Sequence, residues 1–332
     1  MSARHLVLTC MKNEGPFILE WVAYHLSIGI DHFLIYTNDC EDGTPEILDR
    51  LELMGLVTHR DNNRKPHQRP AHQVRAYRKA PKERVYRRAH WVSVIDADEF
   101  INVHVGDRSI RALTSAVPDA KCFSLTWRVF GSADQTYFHD GFLTEKMRRA
   151  APVLCPTPMQ AWGMKSIHRT DVVDIIGCHR PRRVTGGDWD ALNWTSGNGA
   201  PMPASYHHAN WRMNRETAGY ALAQINHYAV RTRENYLMKA ARGRAYTPDF
   251  LGAEYWHQMD RNEVEDLSIQ PLLPAAREVY DALLADPVLR GLHDQSVAWH
   301  HAAIDSVARS ETGKALMAEI TPQRALFERM PA

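Results

Sequence analysis

Short apolar runs alternate with amphipathic stretches through the first hundred residues. His5–Cys10 reads as a strand, because Leu and Val on both parities fit a sheet covered on both faces. Lys12-Asn13-Glu14-Gly15 is a loop, and Pro16 opens a helix whose apolar residues Leu19, Val22, Ala23, Leu26 and Ile30 fall near helical spacing. His32–Thr37 is a second strand, followed by the polar turn Asn38–Thr44. Pro45 opens a second helix that carries Ile47, Leu48, Leu51 and Leu53 and stops near Gly55. Leu56–His59 is a third strand, residues 60–70 a polar loop, and one helix from roughly Ala71 to Ala89 leads into a fourth strand, Val92–Ile95. This βαβαβ alternation predicts an α/β fold with a parallel sheet and crossover helices.

The fourth strand ends in Asp96-Ala97-Asp98-Glu99. In extended chain, residues two apart point the same way, so Asp96 and Asp98 would share a face and repel each other. A hard divalent cation with oxygen ligands relieves that repulsion; a pair of turn aspartates capping a helix is the other reading. Ligands in parallel sheets bind beyond the carboxyl ends of the strands. Three such ends carry polar loops: Asn13-Glu14, Asn38-Asp39 with Asp42, and Asp96–Asp98.

Further along, Phe123–Gly131 reads as a strand with an aromatic turn, and Val172–Ile176 as strand-like. Residues 181–204 read as a long loop. Beyond about residue 246 the pattern becomes amphipathic helices, as in Ala275–Leu284 and Ser296–Ala308. The expected division is a catalytic domain over 1–245 and a helical C-terminal extension over 246–332.

Composition narrows the classes. Forty basic and 39 acidic residues leave a net charge of +1, which makes no case for nucleic acid as a partner. Five scattered cysteines without CxxC spacing fit a reducing compartment rather than a disulfide framework or thiolate zinc site. There is no secretory leader and no run near 18 apolar residues, so the expectation is a soluble cytoplasmic protein, with peripheral membrane contact left open. No GxGxxG follows the first strand and no GxxxxGK[ST] occurs, which disfavours dinucleotide oxidoreductases and P-loop NTPases.

Met11–Glu14, Glu20-Trp21, Tyr24-His25, Gly29–Phe33, Tyr36–Asp39 and Asp42–Thr44, then Trp91–Phe100, then Asn226-His227-Tyr228 with Lys239 and Arg242-Gly243-Arg244, form an ordered set over residues 5–245. This set resembles a glycosyltransferase with the GT-A fold, most similar to the family-2-like group that shares features with the family 92 glycosyltransferases. The resemblance implies a nucleotide-sugar donor, most often a UDP-sugar, a divalent ion, Mn2+ or Mg2+, and a hydroxyl acceptor on a glycan or lipid-linked saccharide. It also implies Asp98 as a direct metal ligand, Asp96 on metal or the donor's ribose, Glu99 in support, and His227 as a third ligand, with His179 the runner-up. Asn13, Glu14 and Asp39 would contact the nucleoside, and Lys239, Arg242 and Arg244 the diphosphate; apart from the resemblance, one of Arg75, Arg78 and Lys79, on the helix before the metal strand, could also reach the diphosphate. The residues alone leave bland alternatives: a capping loop, a turn aspartate, solvated basic helix faces.

An inverting transferase needs a carboxylate base for the acceptor hydroxyl. Asp188 is the first choice, because Gly186-Gly187 would allow close backbone approach and Trp189 could stack on a sugar; Asp190 and Glu145 follow. Two other functions compete: a metal-dependent phosphohydrolase or phosphotransferase, which also places Asp-x-Asp after an apolar strand, and a non-catalytic carbohydrate-binding protein.

Overall fold

The computed structural model describes residues 4–63, 71–155, 162–242 and 251–321. Its first half runs β1 (His5–Met11), α1 (Gly15–Ser27), β2 (His32–Thr37), α2 (Thr44–Leu53), β3 (Val57–Asp61), α3 (His72–Lys79), α4 (Arg84–Arg88), β4 (Trp91–Val94), β5 (Glu99–Val103), α5 (Ile110–Ala116) and β6 (Cys122–Val129). There follow α6 (Leu143–Lys146), β7 (Arg149–Ala150), β8 (Met164–Arg169), β9 (Val173–Ile175), β10 (Arg183–Val184), β11 (Thr195–Ser196) and β12 (Ala223–His227). The chain closes with α7 (Arg233–Arg242), α8 (Ala253–Met259), β13 (Val264–Glu265), α9 (Leu273–Leu284), α10 (Pro287–Arg309) and α11 (Glu311–Ile320).

The described residues form a nine-stranded sheet in the order β3-β2-β1-β4-β8-β6-β12-β5, with β11 beside β6. The β3-β2-β1-β4 half is parallel. Alternation along β1 sends Val7 into one apolar cluster and Leu6 and Leu8 into another, so helices cover both faces. The cluster containing Val7 also holds Leu273, Ala276, Tyr280 and Leu283 of α9, so the C-terminal helices share the core of the sheet.

The sheet curls, and chain length shows why. From Val94 to Glu99 is five residues, at most roughly 18 Å of extended chain. Yet β5 lies four strand positions from β4, about 19 Å across a flat sheet. The Asp96–Asp98 turn therefore spans the mouth of the curl.

Two expectations need correction. The single helix over 71–89 is broken into α3, a 3-10 turn at Ala80–Lys82 and α4, because Pro81 lacks a backbone donor and clashes with the preceding turn. The apolar run near Val172 does form a strand, β9, which pairs with β10 in a small ribbon apart from the main sheet. The main-sheet strand of that region is β8, whose Lys165, Ser166 and His168 are all buried. The stretch over 181–204 also contains β10 and β11 rather than loop alone.

Burial lowers the pKa of His25 to about 3 and of His168 to about 4. An unfolded histidine takes a proton below about 6.5, which these folded rings resist. Their contribution to stability is complete above pH 6.5 and is lost as pH falls toward 4. The melting temperature should therefore drop between pH 7 and pH 5 in thermal unfolding; an unchanged value would contradict the burial of these neutral rings.

Candidate active site

The site forms where β1, β2 and β4 end on one edge of the parallel sheet. A cavity of about 520 Å³ opens there, lined by Lys12, Asn13, Asp39, Glu41 and Asp98 from the strand ends. Arg231, Lys239 and Arg242 line it from α7 and the loop before it, and Trp299, His300, Ala303, Ser306 and Val307 from α10. Its volume is in the ordinary range for a small-molecule site.

Two of the lining residues adopt left-handed backbone, Asn13 at φ 51° and Asp39 at φ 48°. Asn and Asp tolerate this region, and such residues gather at functional loops. The Asn13 side-chain oxygen accepts from the Glu41 amide at 2.9 Å, joining the two strand-end loops. The Asp39 amide donates to Asn63 Oδ1 at 2.6 Å, and its carboxylate lies 3.4 Å from His72 Nε2. Asp42 accepts from the Gly15 amide at 2.8 Å and Thr44 from the Glu14 amide at 3.0 Å. The Asp42–Thr44 motif thus anchors the start of α1.

Glu14 is buried, and its carboxylate meets the guanidiniums of Arg231 at 2.9 Å and Arg242 at 2.6 Å. Burial opposes its charge, but the two arginines prevail and hold it below the usual carboxylate range. Glu14 does not line the cavity. It pairs with two cations that do, Arg231 and Arg242. Arg231 also lies 3.7 Å over the Phe17 ring, which stacks its plane in place.

Asp96 and Asp98 diverge. The strand stops at Val94 and the next residues turn, with the Glu99 amide donating to Asp96 O at 3.1 Å, so strand alternation does not reach them. Asp96 Oδ2 accepts from Lys165 Nζ at 2.7 Å and Oδ1 from Gln73 at 3.1 Å. Lys165 is fully buried and lies 3.4 Å from the equally buried Glu99. Burial opposes the ammonium, but the facing carboxylates hold its pKa above the usual lysine range. Glu99 in turn rises to about 7, chiefly through burial, and its Oε2 accepts from the Asp96 amide at 2.8 Å.

Asp98 meets Lys239 Nζ at 2.8 Å and His227 Nε2 at 3.7 Å. Burial opposes its charge, yet Lys239 and His227 hold it well below the usual range. The pairing of β12 with β5 sets this geometry: His227 lies opposite Glu99, and the Tyr228 amide donates to Asp98 O at 2.9 Å.

Among the described residues, no three His, Cys, Asp or Glu side chains converge as a metal cluster. Asp96 is drawn away by Lys165 and Gln73, so the triad Asp96–Asp98–His227 does not form. The Asp98–His227 pair does fit one ion: 3.7 Å is a span that two ligands, each about 2.1 Å from a shared ion, can bridge. Hard divalent ions commonly use one or two protein ligands and complete their shell with substrate phosphates and water.

The other expected residues lie elsewhere. Arg75 donates to Asn63 O at 3.0 Å and does not line the cavity. His179 packs between Trp127 and Trp211 rather than beside Asp98. Arg244 falls outside the described residues. Asp188 is exposed and accepts from the Asp190 and Ala191 amides, closing a turn. Gly186 and Gly187 have open space where a Cβ would stand; their positive φ, not close approach, calls for glycine. Trp189 is stacked on His207, with ring centroids 4.9 Å apart. Glu145 pairs with Arg277 at 2.6 Å. None of Asp188, Asp190 and Glu145 lines the cavity.

Sequence reasoning assigned no role to Lys165 or Arg231, and none to the α10 wall. The only signal for Lys165 was a lysine inside a strand-length segment.

The family model for glycosyltransferase family 92 matches residues 5–229. The chain belongs to glycosyltransferase family 92. A family 92 protein of Ricinus communis is 25% identical over 123 residues, covering 35% of this chain and 20% of the relative. One from Oryza sativa subsp. japonica is 37% identical over 46 residues, 14% of this chain and 8% of the relative. The chain thus matches a fifth or less of the length of these relatives. Among solved structures, S. aureus TarS in complex with UDP is 13% identical, covering 50% of this chain and 47% of that one, with a TM-score of 0.31. The mannosyltransferase Ktr4p from S. cerevisiae is 9% identical, covering 40% and 41%, with a TM-score of 0.24. The family 92 region here is α/β, built on a curled, parallel-rich sheet with C-terminal helices packed against it. No helix among the described residues is long and apolar enough to cross a membrane.

Proposed function

We propose that this chain transfers a sugar from a nucleotide-sugar donor, a UDP-sugar, to a hydroxyl of a glycan or lipid-linked acceptor. The observation that carries this reading is one cavity in a family 92 chain that gathers Asn13, Asp39, Asp98, Lys239 and Arg242 at the strand ends. Asn13 and Asp39 offer polar contacts to the nucleoside. Lys239 and Arg242 offer positive charge to the diphosphate.

Departure of a nucleoside diphosphate builds negative charge on a phosphate oxygen. Arg242 stabilises that charge best if it is in place beforehand, since a preorganised charge needs no reorganisation during the reaction. Glu14 supplies that order by fixing Arg242 and Arg231 from behind. A divalent ion, Mn2+ or Mg2+, would be held by Asp98 and His227 and would act as a Lewis acid on the leaving diphosphate. The five free thiols fit work in a reducing compartment, the cytoplasm.

A thermal-shift screen of UDP-, GDP- and dTDP-sugars, with and without MnCl2, tests the reading. At about 100-fold excess over its dissociation constant, the true donor adds about 2.7 kcal/mol of apparent stability. The expected result is a shift with UDP-sugars that grows with Mn2+. A shift with phosphomonoesters instead would favour a phosphohydrolase, and no shift with any nucleotide would contradict the proposal.

A further inference from the structure

The two lysines beside the Asp96–Asp98 turn have different surroundings. Lys165 is fully buried and lies between Asp96, at 2.7 Å, and Glu99, at 3.4 Å. It has no access to the cavity. Lys239 lines the cavity with its side chain 20% exposed. Its ammonium meets Asp98 Oδ2 at 2.8 Å and donates to Ala229 O at 2.6 Å. An ammonium has three donors, so these two bonds leave one uncommitted, beside the Tyr255 ring 5.6 Å away. A lysine on a flexible stem also re-aims more easily than a guanidinium fork.

Resting on the nucleotide-sugar reading above, we propose that Lys239 is an exchangeable counter-ion. In the free protein it neutralises Asp98. When a divalent cation takes that carboxylate, Lys239 turns to the donor diphosphate.

The argument is one of competing charges. Asp98 is the carboxylate that both Lys239 and the cation need. A cation arriving alone must displace an ammonium from a partly desolvated pair and then sit beside it, with like charges close together. A diphosphate arriving alone meets the negative charge of Asp98 next to the ammonium it needs. Arriving together, each removes the other's obstacle, so cation and nucleotide bind cooperatively. Such coupling is reciprocal and is typically about 5–150-fold. Arg242 is different, because its partner is Glu14 at 2.6 Å, which takes no part in holding the cation. Losing Arg242 weakens diphosphate binding but does not free Asp98.

The test uses the full chain, with free Mn2+ measured by electron paramagnetic resonance and UDP binding by calorimetry with and without saturating Mn2+. The wild type should bind UDP at least about tenfold more tightly with Mn2+ than without it. Lys239→Met should bind Mn2+ alone more tightly than the wild type, and its Mn2+ effect on UDP should be smaller than the wild type's, because only the direct attraction between the ion, Asp98 and the diphosphate remains. Lys239→Gln is the second neutral variant should the first not fold. Arg242→Met should keep the wild-type affinity for Mn2+ alone. Wild-type coupling in Lys239→Met, or weaker Mn2+ binding by it, would overturn the exchange while leaving the donor reading in place. A wild type that binds UDP with no dependence on Mn2+ overturns the exchange and the cation site together, and one that binds no UDP at all overturns the donor reading.

Discussion

Asp98→Asn lowers kcat/KM for donor turnover by about 10³-fold, the size expected when a preorganised charge at a reacting phosphate is lost. Asparagine keeps the shape of the side chain and removes its charge. The cation loses its carboxylate, and Lys239, 2.8 Å away, loses its counter-charge. The main-chain bond from the Tyr228 amide to residue 98 is untouched, so β5 and β12 stay in register. The melting temperature should therefore change by only a few degrees, which separates a chemical defect from unfolding. Release of nucleoside diphosphate from the donor identified by thermal shift is the assay. Activity within threefold of wild type would remove Asp98 from the chemistry.

Lys165→Met has the largest expected effect on stability. The lysine is fully buried, as is Glu99, and Asp96 depends on the same ammonium. Removing one partner of a buried ionic cluster typically costs about 3–5 kcal/mol, because the remaining charges keep their desolvation penalty without their attraction. For a chain of this length that lowers the melting temperature by roughly 4–7 °C. Methionine has a similar length and fills the space, so a cavity does not account for the loss. Urea and thermal unfolding both measure it. A shift under 1 °C would mean that the ammonium is dispensable between Asp96 and Glu99.

The contrast between Asp98 and Lys165 shows what was legible in the chain. Asp98 follows an apolar strand, and Asn13 and Asp39 follow two others. Strands buried on both faces announce themselves, and parallel connections place their ends together. Lys239 and Arg242 came through the resemblance, and the structure gathers them at the same cavity. Lys165 was hidden because β8 carries buried Lys165, Ser166 and His168 where apolar residues are expected. Its partners Asp96 and Glu99 lie more than sixty positions earlier, and no local pattern joins them. Strand β12 was obscured in the same way by buried Gln224, Asn226 and His227. The reading of Asp96 and Asp98 as neighbours on one face failed at a single point: the strand ends two residues before Asp96, and the turn sends the carboxylates to different lysines. The α10 wall was out of reach of pattern, since an amphipathic helix shows that one face is buried but not what it faces.

A crystal structure of the full chain with UDP and Mn2+, with the metal located by anomalous scattering, tests the central claim most directly. The account predicts a manganese peak at Asp98 and His227 and the nucleotide in the cavity lined by Asn13, Asp39, Lys239 and Arg242. Nucleotide bound outside that cavity, or manganese away from Asp98, would contradict it.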